Sequence, residues 1–428
     1  MLENKRILVL SVSAWSSKVG SDTWSTLVEG LDPDNVASLS LREEAPDSPA
    51  SNHYFAISEN RVLKSILRRR IKTGRRLSRA QTEAEPSTDL AAHNRRYQKM
   101  GRKRGFFGLF AREVVWWLGK WRTRELDEFI LSFRPDVILY AMEGYIHFNR
   151  ICRYVKKKTG AKSVGYFWDD NFTYKQTSRL GLKAFRFLQR RSLKKLAKKT
   201  DAFWAITDMT KREADAFFGV DCTVVTKPLK REPVYEERSV GDPIRVLYTG
   251  NLQIGRDRSL VKVVRALEKV NEGGTRFVVD VYTKTQLADE VKAALSRDFC
   301  ALHDPVPQSE VLALQEAADI LLFLEDVDGP DAKTARLSFS TKITDYLSAG
   351  KSILAVGCMD TAPMQYFLTN DAALIATTEA EMVALLQSIP EDKEILSRAA
   401  RRAYECGIKN HKKENILKAV HNTIEQLV

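Results

Sequence analysis

The chain has 428 residues, 44% of them hydrophobic, which suits two or three domains with sizeable cores and excludes a collagen-like or wholly disordered protein. Its formal net charge of +13 is unevenly spread, because residues 1–240 contain 46 basic and 28 acidic side chains and residues 241–428 contain 22 and 27. Five isolated cysteines, without metal-ligand or redox spacing, disfavour a disulfide scaffold and a zinc finger.

Short apolar runs alternate with helical patterns along the chain, which is typical of parallel sheets built from βαβ units. In the first half the predicted strands are 6–12, 136–141, 163–168, 202–206 and 223–226, and the predicted helices are 111–131, 146–158, 180–199 and 208–217. In the second half the predicted strands are 244–249, 277–282, 320–324, 353–356 and 373–376, and the predicted helices are 259–271, 286–296, 309–317, 341–348 and 379–388.

This order predicts an α/β protein with two doubly wound, Rossmann-like domains. We expect the first over 1–230, a charged, proline-rich linker over 231–243, the second over 244–392, and a helical tail over 393–428 that packs back toward the first domain. Residues 42–105 fit this alternation poorly, and we interpret them as a basic insertion in the first domain, with a loop over 46–55 and a basic helix over 58–80. Two such domains would leave a cleft between them, and their ligands bind at the carboxyl ends of the strands.

The sharpest motif, IRVLYTGNLQIGRDRSL from residue 244, runs from a strand through a glycine-containing loop into a helix. Glycine lets the backbone approach a ligand, and the N-terminus of a helix offers free N–H groups to a phosphate. The candidate phosphate-binding residues are Gly250, Asn251, Arg256, Arg258 and, one turn further on, Lys262. An ordinary turn with solvated arginines is the structural alternative.

A second motif, LSFSTKITDYLSAGKSILAVG over 337–357, predicts a helix capped by Ser340 or Thr341 and followed by a strand. Thr341, Lys342 and Asp345 share one face of that helix. The carboxylate could accept hydrogen bonds from ribose hydroxyls while the free amides meet phosphate. Capping together with a surface Lys–Asp pair is the alternative.

Together, TGNL…GR…SL and STK…DYLSAGKSILAVG resemble the donor-binding half of retaining glycosyltransferases with the GT-B fold, in particular bacterial enzymes of capsular and O-antigen polysaccharide assembly. The resemblance implies metal-independent sugar transfer, without a cofactor, from a nucleotide-sugar donor to a lipid-linked or glycan acceptor. It implies that Gly250, Arg256 and Arg258 contact the donor diphosphate, that Asp345 replaces the family's second glutamate, and that Gly20 lies near donor phosphate and acceptor. The family's first glutamate falls at Leu337, and Asp331 or Asp328 are alternatives for its role.

Carboxylates elsewhere have several interpretations. Asp326 and Asp328 form a DxD pair, which is commonly solvated charge, and we predict no metal site there. Asp169 and Asp170 follow a predicted strand and could take the proton of the acceptor hydroxyl, although a helix cap gives the same pattern. His147, near another strand end beside Glu143, is more typical of a packed histidine.

Residues 61–124 combine 19 basic and 4 acidic residues with the aromatic residues Phe106, Phe107, Phe110, Trp116, Trp117 and Trp121. Aromatic rings beside cations predict a segment that lies on an anionic membrane, which the basic pattern at 180–199 could extend. The alternative is that the tryptophans belong to a core and that the arginines are solvated.

We find no apolar run long enough to span a membrane and no signal-peptide pattern, so we expect a cytoplasmic protein peripherally associated with the inner face of the membrane. Two other function classes stay open: a catalytically inert nucleotide-sugar-binding subunit and a basic nucleic-acid-binding protein. We expect no nucleic-acid partner, because the basic excess and the nucleotide-type loops lie in different halves and no RNA-binding signature occurs.

Overall fold

The computed structural model describes residues 2, 4–13, 15, 23–43, 46–78, 106–176, 180–237, 239–329 and 331–428. The chain divides into two compact units, one formed by Met1–Val225 with Ile416–Val428 and the other by Thr226–Asn415. The segment predicted as a linker, 231–243, belongs to the second unit.

Within its described residues, the first unit contains an eight-stranded sheet of order β4-β3-β2-β1-β5-β6-β7-β8. Only the edge pair β3–β4 is antiparallel. The central strands are buried on both faces, as parallel strands covered by helices are. The strands are β1 Ile7–Ser11, β2 Val36–Ser40, β3 His53–Ile57, β4 Gly74–Leu77, β5 Val137–Ala141, β6 Lys162–Phe167, β7 Ala202–Ala205 and β8 Cys222–Val224.

The helices of the first unit are α1 Thr23–Leu27, α2 Glu59–Leu67, α3 Phe106–Leu118, α4 Arg124–Phe133, α5 Ile146–Thr159, α6 Leu180–Ala197 and α7 Asp208–Phe218. Side-chain caps fix several starts: Ser58, Thr123 and Thr207 each accept a hydrogen bond from a backbone N–H in the first turn. Gly160 and Gly219 end α5 and α7 in the left-handed conformation that glycine adopts at little cost.

The described part of 42–105 differs from the expected insertion. The loop predicted over 46–55 ends in a strand instead: residues 53–57 form β3, which pairs in parallel with β2, and β4 extends the sheet by one more strand. The predicted long basic helix ends at Leu67. The run HYFAI is too short to show a strand period beside the polar residues around it, but four of its five side chains are buried by tertiary packing.

The second unit has a parallel sheet of order β11-β10-β9-β12-β13-β14 over its described residues. Its strands are β9 Ile244–Thr249, β10 Phe277–Tyr282, β11 Cys300–His303, β12 Ile320–Leu324, β13 Ser352–Val356 and β14 Leu374–Ala376. Its helices are α8 Arg256–Val270, α9 Asp289–Leu295, α10 Gln308–Ala317, α11 Thr341–Ser348, α12 Ala362–Asn370, α13 Glu379–Glu391 and α14 Glu394–His411. The sequence did not predict β11 and α12, which are short and lack a clear hydrophobic period.

Helix α8 shows why the core of the second unit lies where it does. Leu260, Val263, Val264, Leu267 and Val270 recur every three or four residues and are buried against the sheet. The predicted tail divides in two: α14 packs on β13 and α11 in the second unit, whereas Ile416 and later residues of the last helix, α15 (Lys413–Glu425), group with the first unit. The predicted fold class, two Rossmann-like domains with a helical C-terminal end, is confirmed.

Candidate functional site

The candidate site lies where the sheet of the second unit changes direction. From β9 the chain proceeds outward through β10 and β11 and then returns to β12 on the other side of β9. Loops that leave two neighbouring strands on opposite sides open a crevice at their carboxyl ends, where α/β sheets bind ligands. Gly250 follows β9 at this point, and Glu325 follows β12.

A cavity of about 270 Å³ lies at this edge. It is lined by polar side chains from the β9–α8 loop, the end of β12 and the start of α11. The lining residues are Asn251, Arg256, Glu325, Ala335, Ser338, Ser340, Thr341 and Lys342. Five of the predicted donor-binding residues are therefore brought together, although they come from two motifs far apart in the sequence.

Arg256 is the first residue of α8, and its guanidinium group donates hydrogen bonds to three residues. Its Nε donates to Leu324 O at 3.0 Å, and its Nη2 lies 3.0 Å from both carboxylate oxygens of Glu325. Its Nη1 donates to Asn251 Oδ1 at 3.3 Å. Because Glu325 is buried, its charge is compensated mainly by this guanidinium, which is thereby fixed at the wall of the cavity.

The other predicted cations of α8 are paired with the loop that follows β12. Arg258 Nη2 lies 2.7 Å from the buried Asp326 and 3.1 Å from Asp331, and Lys262 Nζ lies 2.6 Å from Asp328. The hydrogen bond from Lys262 lowers the pKa of Asp328. Neither Arg258 nor Lys262 is among the residues that line the cavity.

Two glycines allow this close packing. Gly255 has φ +75°, and a Cβ atom there would overlap the Asp326 carboxylate. Gly250 has φ +137°, and a Cβ atom there would lie 2.5 Å from Lys342 Nζ. A side chain at either position would displace a charged group of the site.

Lys342 lies in the first turn of α11, whose N-cap is Ser340. Its ammonium group is 3.9 Å from the centroid of the Tyr248 ring. Burial, followed by the charge of Arg256, lowers the pKa of Lys342 to about 7, while Glu325 and Asp345 oppose the shift. The helix N-terminus and this amine form one wall of the cavity.

The carboxylates around the cavity differ from those the sequence suggests. Leu337, at the position of the missing glutamate, is fully buried. Asp328 and Asp331, the suggested replacements, bind Lys262 and Arg258 instead. Asp345 lies three residues after Lys342 and is not among the lining residues, whereas Glu325, which the sequence did not single out, is. Its position directly after the apolar strand ILLFL was the available signal.

The DxD pair does not form a cluster of metal ligands. Asp326 accepts hydrogen bonds from Arg258 and from the backbone N–H of Asp331 at 3.0 Å, while Asp328 is exposed. Over the described residues, no group of three or more His, Cys, Asp or Glu side chains is arranged to hold a metal ion.

In the first unit, the predicted catalytic pair divides into two environments. Asp170 is buried, and both of its carboxylate oxygens accept hydrogen bonds from Thr173, which is the contact of a turn cap. Asp169 is half-buried and lies near Glu143, which follows β5. Burial, followed by the charge of Asp169, raises the pKa of Glu143 to about 7, and the Trp168 side chain donates a hydrogen bond to it. Gly20 lies outside the described residues.

His147 is packed, as the structural interpretation of the sequence suggested. Its ring stacks on Trp116 at 4.6 Å, and its Nδ1 lies 2.9 Å from Glu113 Oε1. Glu113 also accepts hydrogen bonds from the backbone N–H groups of Ile146 and His147, so it caps α5 from a neighbouring helix. Burial lowers the pKa of His147.

No protein-family model and no curated protein sequence matches the chain. Solved structures do match, at low identity and nearly full length. Anabaena HepE in complex with UDP has a TM-score of 0.62 at 11% identity, over 98% of this chain and 100% of the other. The trehalose 6-phosphate synthase of Burkholderia multivorans gives 0.60 at 9% identity over 99% and 98%, and the sucrose-phosphate synthase of Thermosynechococcus elongatus 0.59 at 11% over 99% of each chain.

The chain has the GT-B fold. In this GT-B chain the cavity, Arg256 and the N-terminus of α11 lie in the second Rossmann-like unit. The carboxylates Glu143 and Asp169 lie at the carboxyl edge of the first.

Proposed function

We propose that the chain is a glycosyltransferase that binds a nucleotide-sugar donor in the cavity beside β9 and β12. The observation that carries this proposal is the convergence of Arg256, Lys342 and the N-terminus of α11 on one polar cavity at the point where the sheet changes direction. Cationic donors and helix N-termini are the groups that bind a diphosphate. The likeness in fold to HepE, solved with UDP and with UDP-glucose, supports the same ligand class.

Each predicted donor-binding residue of the second unit has a proposed role. Gly250 gives the diphosphate close access to the backbone, and Arg256 and Lys342 neutralise its charge, as do the N–H groups that follow Ser340 and Thr341. Asn251 positions Arg256 through their hydrogen bond. Asp345 accepts hydrogen bonds from the ribose, while Arg258 and Lys262 contact the diphosphate only after leaving their present carboxylate partners.

For the chemical step we propose transfer with retention of configuration and without a metal ion or cofactor. The bond between the anomeric carbon and the diphosphate oxygen breaks, and its electron pair leaves with the nucleoside diphosphate. Arg256 and α11 stabilise that developing charge, which is the role a divalent ion has in other enzymes. The acceptor oxygen bonds to the anomeric carbon on the face that the diphosphate leaves, which retains the configuration, and its proton passes to the carboxylate pair of Asp169 and Glu143. Asp170 supports this loop through Thr173.

We propose that the acceptor is a lipid-linked glycan of bacterial surface polysaccharide synthesis. The chain would bind this acceptor while attached to the cytoplasmic, inner face of the membrane. The helices α2, α3 and α6 of the first unit provide the surface, since α3 packs against both of the others. Their exposed apolar side chains, here called the aromatic face, are Leu63, Leu67, Phe107, Phe110, Trp117, Leu118, Leu180, Phe187 and Leu188.

The aromatic face includes only part of 61–124, the segment predicted to lie on an anionic membrane. Trp116 and Trp121 are buried and belong to the core, whereas Trp117 is 69% exposed. Exposed cations accompany the apolar groups on α2 and α6, including Lys64 and Lys183. Apolar rings beside cations suit the headgroup region of an anionic bilayer. The described residues include no helix with the length and apolar character needed to cross a bilayer.

The test is a panel of nucleotide-sugars, first in thermal shift and then in hydrolysis without acceptor. We expect one nucleotide-sugar to raise the melting temperature and to be slowly hydrolysed, and Arg256→Ala to lose both effects. Binding without hydrolysis or transfer would identify an inert subunit. Failure of every nucleotide-sugar together with salt-dependent retention of RNA would favour the nucleic-acid alternative.

A further inference from the structure

The cations at the carboxyl edge of the second unit's sheet fall into two classes. Three are already ion-paired in the protein: Arg256 with Glu325, Arg258 with Asp326, and Lys262 with Asp328. Within the described part of the chain, the ammonium group of Lys342 forms neither a salt bridge nor a hydrogen bond, and it lies over the Tyr248 ring. Lys342 is therefore the cavity's cation whose charge the protein compensates least.

The surroundings of Lys342 come from four elements. From β9, Tyr248 presents its ring face, and from α8, Arg256 presents a positive charge. Glu325, after β12, and Asp345, on α11 itself, contribute negative charge, while Tyr346 of α11 is buried and neutral. Burial and Arg256 together outweigh the two carboxylates and bring the pKa of Lys342 to about 7. Both protonation states of this amine are accessible near neutral pH.

A diphosphate in the cavity would change this balance. At pH 8 a nucleoside diphosphate carries about three negative charges, because the last phosphate ionisation lies near pH 6. An anion beside an amine favours its ammonium form. Lys342 lines the same cavity as Arg256, so a phosphate bound by Arg256 lies near both cations.

We propose that binding of the donor's nucleoside diphosphate protonates Lys342, so that the site takes up one proton from solvent together with its ligand. This inference rests on the proposed nucleotide site and adds to it a specific proton-coupled step. Lys342 would act as an anion-dependent cation, neutral in part of the free molecules and charged in the complex.

The proposal fixes the direction of a pH dependence. Above pH 7 the free protein loses the proton that the complex requires, so affinity falls as pH rises until the amine of the complex itself titrates. From a pKa of about 7, the dissociation constant of UDP should rise about 50-fold between pH 7 and pH 9. An arginine at this position stays charged throughout and should remove that slope.

The experiment is calorimetric titration of the full chain with UDP, and in parallel with GDP, at pH 8 in buffers of different ionisation enthalpy. The slope of observed enthalpy against buffer ionisation enthalpy gives the protons taken up. We expect about 0.9 for the native chain, since about one tenth of Lys342 is protonated at that pH. Lys342→Arg should give a slope near zero, and Lys292→Met, a matched exposed lysine on α9, should behave as the native chain does.

The outcomes separate the two proposals. Nucleotide binding with no proton uptake and no pH dependence in the native chain overturns this inference and leaves the proposed function intact. Absence of binding by any nucleoside diphosphate at pH 6, where Lys342 is charged, overturns the proposed function and this inference with it. Because the native chain supplies both readouts, the test stands even if Lys342→Arg fails to fold.

Discussion

The carboxyl edges of the two sheets carry charge opposite to that of the regions they belong to. Residues 1–240 are strongly basic, yet the polar groups after β5 and β6 are the carboxylates Glu143 and Asp169. Residues 241–428 have an acidic excess, yet the charged groups that line the cavity in the second unit are two basic side chains, Arg256 and Lys342, and one carboxylate, Glu325. Net charge therefore describes the surface of each region, while the chemistry of each edge is set by a few side chains placed by strand ends.

The two units also differ in what their buried carboxylates interact with. In the second unit, Glu325 and Asp326 fix arginines at the start of α8, so carboxylates position cations. In the first unit, Asp170 and Glu113 satisfy backbone and side-chain donors, so carboxylates hold turns and helix ends. Glu143 combines burial with the nearby like charge of Asp169, which is the arrangement that prepares a carboxylate for proton transfer.

The largest effect that would test this contrast is expected for Arg256→Ala. It should cost about 2–4 kcal/mol of transition-state stabilisation, or about 30- to 1000-fold in kcat, because charge develops on the leaving diphosphate. The measurement is steady-state transfer or donor hydrolysis. Arg265→Ala, an exposed arginine of the same helix, serves as the control and should retain activity. Near-normal turnover in Arg256→Ala would remove this residue from the site.

A second test addresses the first unit through pH. A base must be ionised to accept a proton, so with a pKa of about 7 for Glu143 the kcat at saturating donor should rise with pH up to about 7 and then level off. Glu143→Gln resembles the permanently protonated form, and should lower kcat at pH 8 by about 100-fold and abolish the rise. The measurement is the pH profile of kcat at saturating donor, with UDP affinity as control. An unchanged rising limb in the variant would assign the titration to another group.

A substitution of Asp345 should have a smaller effect, which is confined to nucleotide binding by the second unit. If it binds the ribose, Asp345→Ala should weaken UDP or GDP binding by about 1.5–2 kcal/mol, the size of a hydrogen bond to a charged group. Calorimetric titration measures the affinity, and thermal melting provides the control. A lower melting temperature with unchanged affinity would show that Asp345 serves only the helix.

The sequence predicted the parts of this molecule that depend on local pattern. The strand–loop–helix at Gly250 and Arg256 is visible because glycine, a helix start and an apolar strand follow one another within a few residues. Glu325 was missed because its partner Arg256 lies 69 residues away, and only the parallel pairing of β9 and β12 brings them together. Likewise β3 is short, and its pairing with β2 depends on tertiary packing.

Two adjacent tryptophans of the first unit show the same limit of prediction from local sequence. Composition placed Trp116 and Trp117 in one interfacial segment, but neighbours on a helix point about 100° apart. Trp116 stacks on His147 inside the unit, and Trp117 is exposed. The aromatic content of a segment therefore overstates its membrane-facing surface until the buried side of the helix is known.

The smallest expected effect concerns that surface. Phe107 and Trp117 are 84% and 69% exposed, so replacing both by serine should leave the free energy of unfolding within about 0.5 kcal/mol. If the aromatic face binds the bilayer, the double variant should lose several-fold of its binding to vesicles containing anionic lipid, because two rings no longer enter the headgroup region. Flotation at low and high salt measures the bound fraction, with neutral vesicles for comparison.

Leu368→Ser, an exposed apolar residue of α12 in the second unit, is the matched control and should bind as the native chain does. Retention of the native bound fraction by the double variant would exclude Phe107 and Trp117 from the contact, and a native chain that ignores anionic vesicles at low salt would exclude the membrane altogether. Since cations near a charged surface contribute about 1 kcal/mol each, high salt should weaken what binding the double variant retains more than it weakens that of the native chain, whose rings do not depend on salt.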